Sequence, residues 1–324
     1  MTSPSPHSLW LTVAIAATGL PAAAQDAYPA KPITLVVPFG AGSGTDMVTR
    51  LVGKSLQESL GVPVVVENKP GANGAIAAAS VARSKPDGHT LLVGSATTNA
   101  ANFAFFPGKL GYTPESFEIV SGLSASPISL YVPIDSPWKS LADLKAASQQ
   151  PGRALTCGSG NAVTQVACEV FRLQTGLPMT NVPYKSNPNS LIDVAGGQIS
   201  LAFSDAGAAQ PLLEGKRLRP LAVAATQRHA AYPDTPTFEE LGVQHFEFTG
   251  WTAVFTPAGT PAPVIEKLHQ ATHKAITSPE TRQFLQRSGS VAKAMSLAEN
   301  RQFAAGEVAR WSRYIKESHV KPEQ

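Results

Sequence analysis

Short β-branched runs alternate with helix-length amphipathic segments along most of the chain. That alternation admits few architectures besides a layered α/β sheet. Ile33 to Val37 reads as a strand, and Asp46 to Leu60 carries Val48, Leu51, Val52, Leu56 and Leu60 at helical spacing before a stop at Gly61. Val64 to Val66 is a second strand whose valines do not alternate with polar residues, which predicts cover on both faces. Ala75 to Ser84 is a helix of small residues, Pro86-Asp87-Gly88 a turn and Leu91 to Val93 a third strand. Right-handed crossovers between such elements make a parallel sheet.

The pattern restarts after two strand-like runs, Phe117 to Val120 and Ile128 to Val132, joined by Ser- and Pro-containing sequence. Strands are expected at Ala154 to Thr156, Thr180 to Val182, Ile199 to Phe203 and Leu218 to Val223. Helices are expected at Leu141 to Ala147, Val163 to Thr175, Leu191 to Ala195 and Ala206 to Glu214. A second α/β unit therefore runs from about Ala125 to about Phe248. Beyond Pro261 the pattern is helical, with segments Val264 to Ile276, Glu280 to Arg287 and Leu297 to Glu317. Lacking strands of their own, these helices are expected to pack back onto the first unit, so that the chain crosses between units twice.

Only 15% of the 324 residues are charged, and the surplus of +3 is not gathered into runs, so nucleic acid and anionic membrane surfaces find no basic patch. Trp10 to Leu20 is weakly polar and leads through Pro21 into Ala22-Ala23-Ala24, which reads as a secretory signal peptide over residues 1–24. The run is too short to span ~30 Å of hydrocarbon. Export bears on Cys157 and Cys168, the only cysteines: in an oxidising compartment they are either a disulfide or two buried thiols. Two cysteines exclude zinc ribbons and dense disulfide scaffolds.

The strongest local signal is Pro38-Phe39-Gly40-Ala41-Gly42-Ser43-Gly44-Thr45-Asp46, a Gly-rich turn between a strand and an amphipathic helix. Its glycines admit close approach of a ligand to backbone, Ser43 and Thr45 supply hydroxyls, and the helix start supplies free N–H groups, so an anion is the natural guest. The competing account is a tight turn in which Thr45 or Asp46 only caps the helix. Glu67 stands where a dinucleotide fold keeps its ribose-binding acid, but the third glycine arrives one position early, at Gly44. Four further loops rich in small hydroxyl, amide and glycine residues follow strands, at Ser95 to Asn99, Gly158 to Asn161 with Thr164, Tyr184 to Asn187, and Ser204 to Gly207. Open α/β sheets bind ligands at such strand ends, and two facing edges make a cleft.

Catalytic arrangements find little support. Ser159 lacks the G-x-S-x-G elbow, and the histidines are scattered. His269 and His273 stand four apart on a helix, but Gln270 occupies the place of a metalloprotease glutamate, so both are expected to face solvent and no metal site is expected. Trp251 is a candidate for the pocket wall, the hinge or the core.

The chain resembles the periplasmic solute receptors of tripartite tricarboxylate transporters, the TctC or Bug family. The resemblance rests on Tyr28-Pro29 with Lys31-Pro32-Ile33, Val36-Val37-Pro38-Phe39 through Asp46 and Arg50, and Glu67-Asn68-Lys69-Pro70-Gly71-Ala72. It continues in Pro86-Asp87-Gly88-His89-Thr90-Leu91-Leu92, Asn181-Val182-Pro183-Tyr184-Lys185, Gly196-Gly197-Gln198, Pro236-Thr237, and Trp251 with Pro257-Ala258-Gly259-Thr260-Pro261. Departures from the family pattern fall at Asn73, His89, Ser186 and Cys157.

The resemblance implies an α/β, two-lobed periplasmic binding protein type II fold, each lobe a mostly parallel sheet flanked by helices, with two hinge crossovers. Lobe one would be 25–124 plus 249–324, and lobe two 125–248. It implies a monomeric, non-enzymatic periplasmic receptor, without cofactor, that binds a di- or tricarboxylate or other acidic metabolite and delivers it to the membrane subunits of a transporter. The implied contacts are Phe39, Ala41, Gly42, Ser43, Gly44, Thr45, Ser95, Thr97 and Asn99 from lobe one. Lobe two would add Gly158, Ser159, Gly160, Asn161, Thr164 and Asp205. A ligand sensor working through a signalling partner shares this signature, and a secreted hydrolase would need turnover dependent on Ser43 or Ser159.

Overall fold

The computed structural model describes residues 28–148 and 154–317. The expected signal peptide lies outside the described residues. The first unit opens with β1 (Ile33–Val37), α1 (Gly44–Leu60), β2 (Val64–Asn68), α2 (Ala75–Ala82) and β3 (Thr90–Ser95). β1 pairs in parallel with both β2 and β3, with Leu35 opposite Val66 and Leu91. Helix α1 ends at Gly61, whose φ of 72° lets its N–H reach Gln57 O at 3.0 Å. β2 lies at the sheet edge with Val65 52% exposed, so the non-alternating valines are covered on one face only.

After a π-helical turn, Thr97–Ala101, and α3 (Asn102–Phe105), the chain enters β4 (Phe117–Pro133). The two expected strands are thus one strand of 17 residues. The Ser- and Pro-containing stretch stays extended because it pairs with β9 (Thr249–Pro257), Ser124 opposite Thr252 and Ala125 opposite Trp251. β9 was not foreseen: seven of its nine residues are buried, so no alternation betrays it. β9 runs antiparallel to β3 and β4, which makes the sheet mixed.

At Pro127, opposite Thr249, β4 leaves β9, and from Ile128 it pairs with β7 (Leu201–Asp205) and β8 (Leu218–Val223). A proline suits this change of partner because it has no N–H to leave unpaired. The intervening elements are α4 (Leu141–Ser148), β5 (Leu155–Ser159), α5 (Ala162–Thr175), β6 (Met179–Pro183), α6 (Asn187–Ala195) and α7 (Ala206–Glu214). β5 pairs in parallel with β6 and β7. The return crossing is hydrogen-bonded to the outgoing one: Ile128 N–H donates to Phe248 O, Phe248 N–H to Ala224 O and Ala224 N–H to Ile128 O, at 2.9–3.0 Å.

The C-terminal elements α8 (Ala262–Thr277), α9 (Pro279–Arg287), β10 (Val291–Ala292) and α10 (Leu297–Glu317) pack on the first unit. Helix α8 covers α1 and one sheet face through Ile265, Leu268, Ala275 and Ile276. A second apolar cluster runs without a break from Val36 and Leu92 in the first lobe, through Phe248, Trp251 and Trp311, to Leu155, Phe171 and Phe203 in the second. The side of the molecule away from the strand-end loops is therefore solidly packed. The histidine pair departs from expectation: His269 is half-buried with Nδ1 2.8 Å from Val120 O, because it flanks the apolar stripe of α8 and turns toward the sheet. Among the described residues, no group of three His, Cys, Asp or Glu is placed to hold a metal.

Two of the sequence departures have local causes. Asn73 sits at φ 51°, ψ 36°, a left-handed conformation that asparagine tolerates better than most residues. His89 lies edge-on to Tyr28 with ring centroids 5.0 Å apart.

Cys157 on β5 and Cys168 on α5 are joined by a disulfide with Cα atoms 6.0 Å apart, and both are buried. The bridge ties the last turns of a strand to the helix that follows it. Closing a loop of this size stabilises by about 3 kcal/mol in the chain-entropy account. Replacing both cysteines by alanine is expected to lower unfolding stability by about that amount. Denaturant titration of the variant beside the parent, with a thiol count on the unreduced parent, checks it; a parent with two free thiols contradicts the bridge.

Candidate functional site

The site is best built from the Gly-rich turn outward. Ser43 is the N-cap of α1, its Oγ accepting from Asp46 N–H at 3.2 Å, so neither Thr45 nor Asp46 performs the capping. Asp46 instead fastens the loop. Its carboxylate accepts from Gly42 N–H (2.9 Å), Arg50 Nε (3.0 Å) and Asn68 Nδ2 (2.9 Å), and Asn68 also donates to Phe39 O at 2.9 Å. Burial opposes ionisation of Asp46, but the Arg50, Gly42 and Asn68 hydrogen bonds outweigh it and hold its pKa below the ordinary aspartate value. The first N–H groups of α1 are thereby aimed across the molecule. Glu67 is exposed and paired with Lys69 at 3.2 Å, away from any ribose-binding role.

Lobe two answers with two capped helix starts. Asn161 caps α5 by accepting from Thr164 N–H at 3.0 Å, and Thr164 Oγ1 accepts from Gly160 N–H at 3.1 Å. Asp205 caps α7 by accepting from Ala208 N–H at 2.9 Å. Asn187 links them, taking a hydrogen bond from Asn161 Nδ2 and giving one to Asp205 Oδ2, each at 3.4 Å. Burial is the largest influence on Asp205 and raises its pKa, while Ala208 N–H and Asn187 pull it back only in part.

These edges face each other across a cleft of about 780 Å³, mouth included, between the lobes. The lobes touch across it: a methyl group added at Gly40 would lie 2.9 Å from Ser186 Oγ, and one at Gly44 would lie 3.0 Å from the Asp205 carboxyl carbon. Phe39, Ser43, Gly44, Thr45, Ser95, Thr97, Asn161, Thr164 and Asp205 line this cleft together. The other expected contacts lie elsewhere. Ala41 and Gly42 are exposed on the outer rim of the turn, Asn99 accepts a buried hydrogen bond from Thr98 Oγ1 at 2.7 Å, and Gly158 and Ser159 are buried in β5. Gly160 is packed against the Ser186–Asn187 backbone, which leaves no room for a side chain.

Several lining residues were not foreseen. Ser124 and Thr252 face each other from β4 and β9 with hydroxyls 2.9 Å apart, and they went unread because β9 did. Met47, Val48, Ile128, Phe284 and Leu285 give the cleft an apolar wall. Ser288 and Ser290, after α9, carried a turn signal in Ser288-Gly289-Ser290 that pointed to no particular site. Trp251 lines the cleft and also belongs to the core; its Nε1 donates to Glu307 at 2.7 Å, and Arg310 holds Glu307 through two 2.8 Å hydrogen bonds. Among the described residues, no Lys, Arg or His lines the cleft.

An α/β molecule of two lobes, with a mixed sheet joined at a double crossing and strand ends opposed across a cleft, has the fold of a periplasmic binding protein. Comparison with known proteins gives the family: the model of the tripartite tricarboxylate transporter family receptor, TctC, matches residues 48–320. The chain belongs to this family. It is similar to the structure of Rhodopseudomonas palustris Rpa4515 with adipate, at 32% identity, TM-score 0.86, and coverage of 91% of this chain and 100% of that one. MatC from R. palustris with bound malate is 31% identical with a TM-score of 0.83, covering 89% and 100%. The periplasmic binding protein BugD is 26% identical with a TM-score of 0.85, covering 91% and 100%.

Beside the cleft, a lobe-two side chain lies on a lobe-one glycine. The His229 ring rests on Gly289, between α9 and β10, and stacks on Tyr232 with centroids 4.3 Å apart. It is 2% exposed, its Nδ1 accepts from Ala231 N–H and its Nε2 has no partner, and burial pushes its pKa down to about 4 from 6.5. The folded form therefore binds fewer protons than the unfolded form between those values, so stability is complete above pH 6.5 and falls as pH drops toward 4. The expected loss is about 3 kcal/mol over that window. Denaturation series at several pH values should show this slope in the parent and a shallower one in His229→Gln; equal slopes would contradict it.

Proposed function

We propose that the protein is an extracytoplasmic solute receptor that closes its two lobes over a small carboxylate-bearing metabolite and presents the closed form to the membrane subunits of a tripartite transporter. The observation that carries this reading is the cleft itself. Two opposed strand-end edges offer helix N-termini, hydroxyls and amides, and among the described residues they carry no lining cation and no metal-binding cluster. Such a site holds an anion by fixed dipoles and does no covalent chemistry on it. The malate and adipate named for the two R. palustris structures are of the same ligand class.

In this reading, Ser43, Gly44 and Thr45 with Ser95 and Thr97 form the lobe-one half of the site. Asn161, Thr164 and Asp205 form the other half, and Ser124, Thr252 and Trp251 form the floor between them. Neither half surrounds a ligand alone, so binding and closure are coupled. The ligand shifts the population by its differential affinity for the closed form. Export to the periplasm, removal of residues 1–24 and lobe motion about the Pro127–Ile128 and Phe248–Thr249 crossings belong to the same proposal.

A carboxylate held at a hundred times its Kd should stabilise the purified protein by about 2.7 kcal/mol, read as a rise in Tm. A panel of mono-, di- and tricarboxylates run beside NAD and nucleotides tests the proposal. A shift with a nucleotide and none with any carboxylate would overturn it.

A further inference from the structure

We infer that the cleft takes a ligand with one carboxylate, an apolar spacer and a far end that donates hydrogen bonds, such as an ammonium, amide or hydroxyl, and that Asp205 is the residue that rejects a second carboxylate. This rests on the receptor reading above and narrows its ligand class.

Three helices start at the cleft, α1, α5 and α7, each carrying about half a positive charge at its N-terminus. Among the described residues, the lining adds no Lys, Arg or His, and one acid, Asp205. The fixed charge is therefore about +0.5. One ligand carboxylate takes the closed cleft to about −0.5, and a second takes it to about −1.5, a surplus with no lining cation to meet it.

The position of Asp205 makes that surplus local. Its carboxylate lies against Gly44, the first residue of α1, from the opposite lobe. Through Asn187 it is also two hydrogen bonds removed from the Asn161 and Thr164 start of α5. Its partners include Ala208 N–H, Asn187 Nδ2 and its own backbone N–H, and a carboxylate with about four lone-pair sites keeps acceptor capacity for the cleft it lines. A ligand N–H or O–H completes that capacity, whereas a second carboxylate brings like charge against like. Between the polar ends, Val48, Ile128, Phe284 and Leu285 offer only apolar surface, which suits a methylene or aromatic spacer.

The test uses purified protein, freed of retained ligand by unfolding and refolding, and calorimetric titration with length-matched pairs: 6-aminohexanoate against adipate, 4-aminobutyrate against succinate, and 4-aminobenzoate against terephthalate. The parent is expected to favour the amino member of at least one pair by about tenfold or more. Asp205→Asn keeps a good helix cap, so its ligand-free Tm should stay near the parent's while the preference collapses or reverses. A parent that favours the dicarboxylate in every pair, or a preference left intact by Asp205→Asn, overturns the inference while leaving the receptor reading in place. Failure of every carboxylate to bind overturns both.

Discussion

The antiparallel pairing of β4 with β9 is the constraint on which the rest of the molecule depends. β4 is long enough to belong to both sheets, and β9 returns beside it, so the two lobes share one hydrogen-bonded seam. The seam brings the carboxyl ends of the parallel strands in each lobe face to face, and the strand-end loops meet because those strands point at each other. The apolar cluster behind the seam, with Phe248 packed on Tyr314 at 5.2 Å and near Trp311 at 6.2 Å, leaves the cleft side as the face free of shared packing. The hydroxyl pair Ser124 and Thr252 and the ring of Trp251 reach the cleft floor from this same seam.

Much of this was legible in the sequence, and the reason is local. β1 and β3 announce themselves as short apolar runs and α1 by its helical spacing, whereas the helical turns after β3 read as a loop; α1 and α5 end at Gly61 and Gly176, both in the left-handed conformation. The loops after the parallel strands showed their hydroxyls and glycines plainly. What stayed hidden depends on pairing between distant segments. β9 has no alternation because it is buried on both faces. The middle of β4 reads as a linker because its serines and Pro127 are held extended only by β9. The corner at Phe284, Leu285, Ser288 and Ser290 joins the site because α9 and β10 fold back onto β4, which no local pattern encodes. Likewise Asn99 and Gly160 carry the right chemistry in the right loops, but side-chain direction and backbone packing take them out of the cleft.

The residues that made the sequence recognisable act largely behind the cleft wall. Asp46, Arg50 and Asn68 hold the Gly-rich turn by a closed set of hydrogen bonds, and among them Asp46 is nearly out of contact with water. Breaking that set would leave a buried carboxylate without partners, a far larger penalty than an exposed ion pair contributes. A motif of this kind therefore reports a loop geometry, while the opposing edge of the cleft is formed by residues outside it, among them Asn187 and Asp205.

Low charge density, first a reason to set aside nucleic acid, acquires a different meaning at this site. A cation in the cleft would attract any anion at long range and would still be paired with water when the lobes part. Helix N-termini are weaker and directional, and their advantage grows as water leaves, because the effective dielectric falls on closure. In this structure the two donor edges stand close together, with Gly44 beside Asp205 and Gly40 beside Ser186. The same geometry sets one acid, Asp205, at the contact between the lobes, where its charge counts against any further negative charge that the cleft encloses.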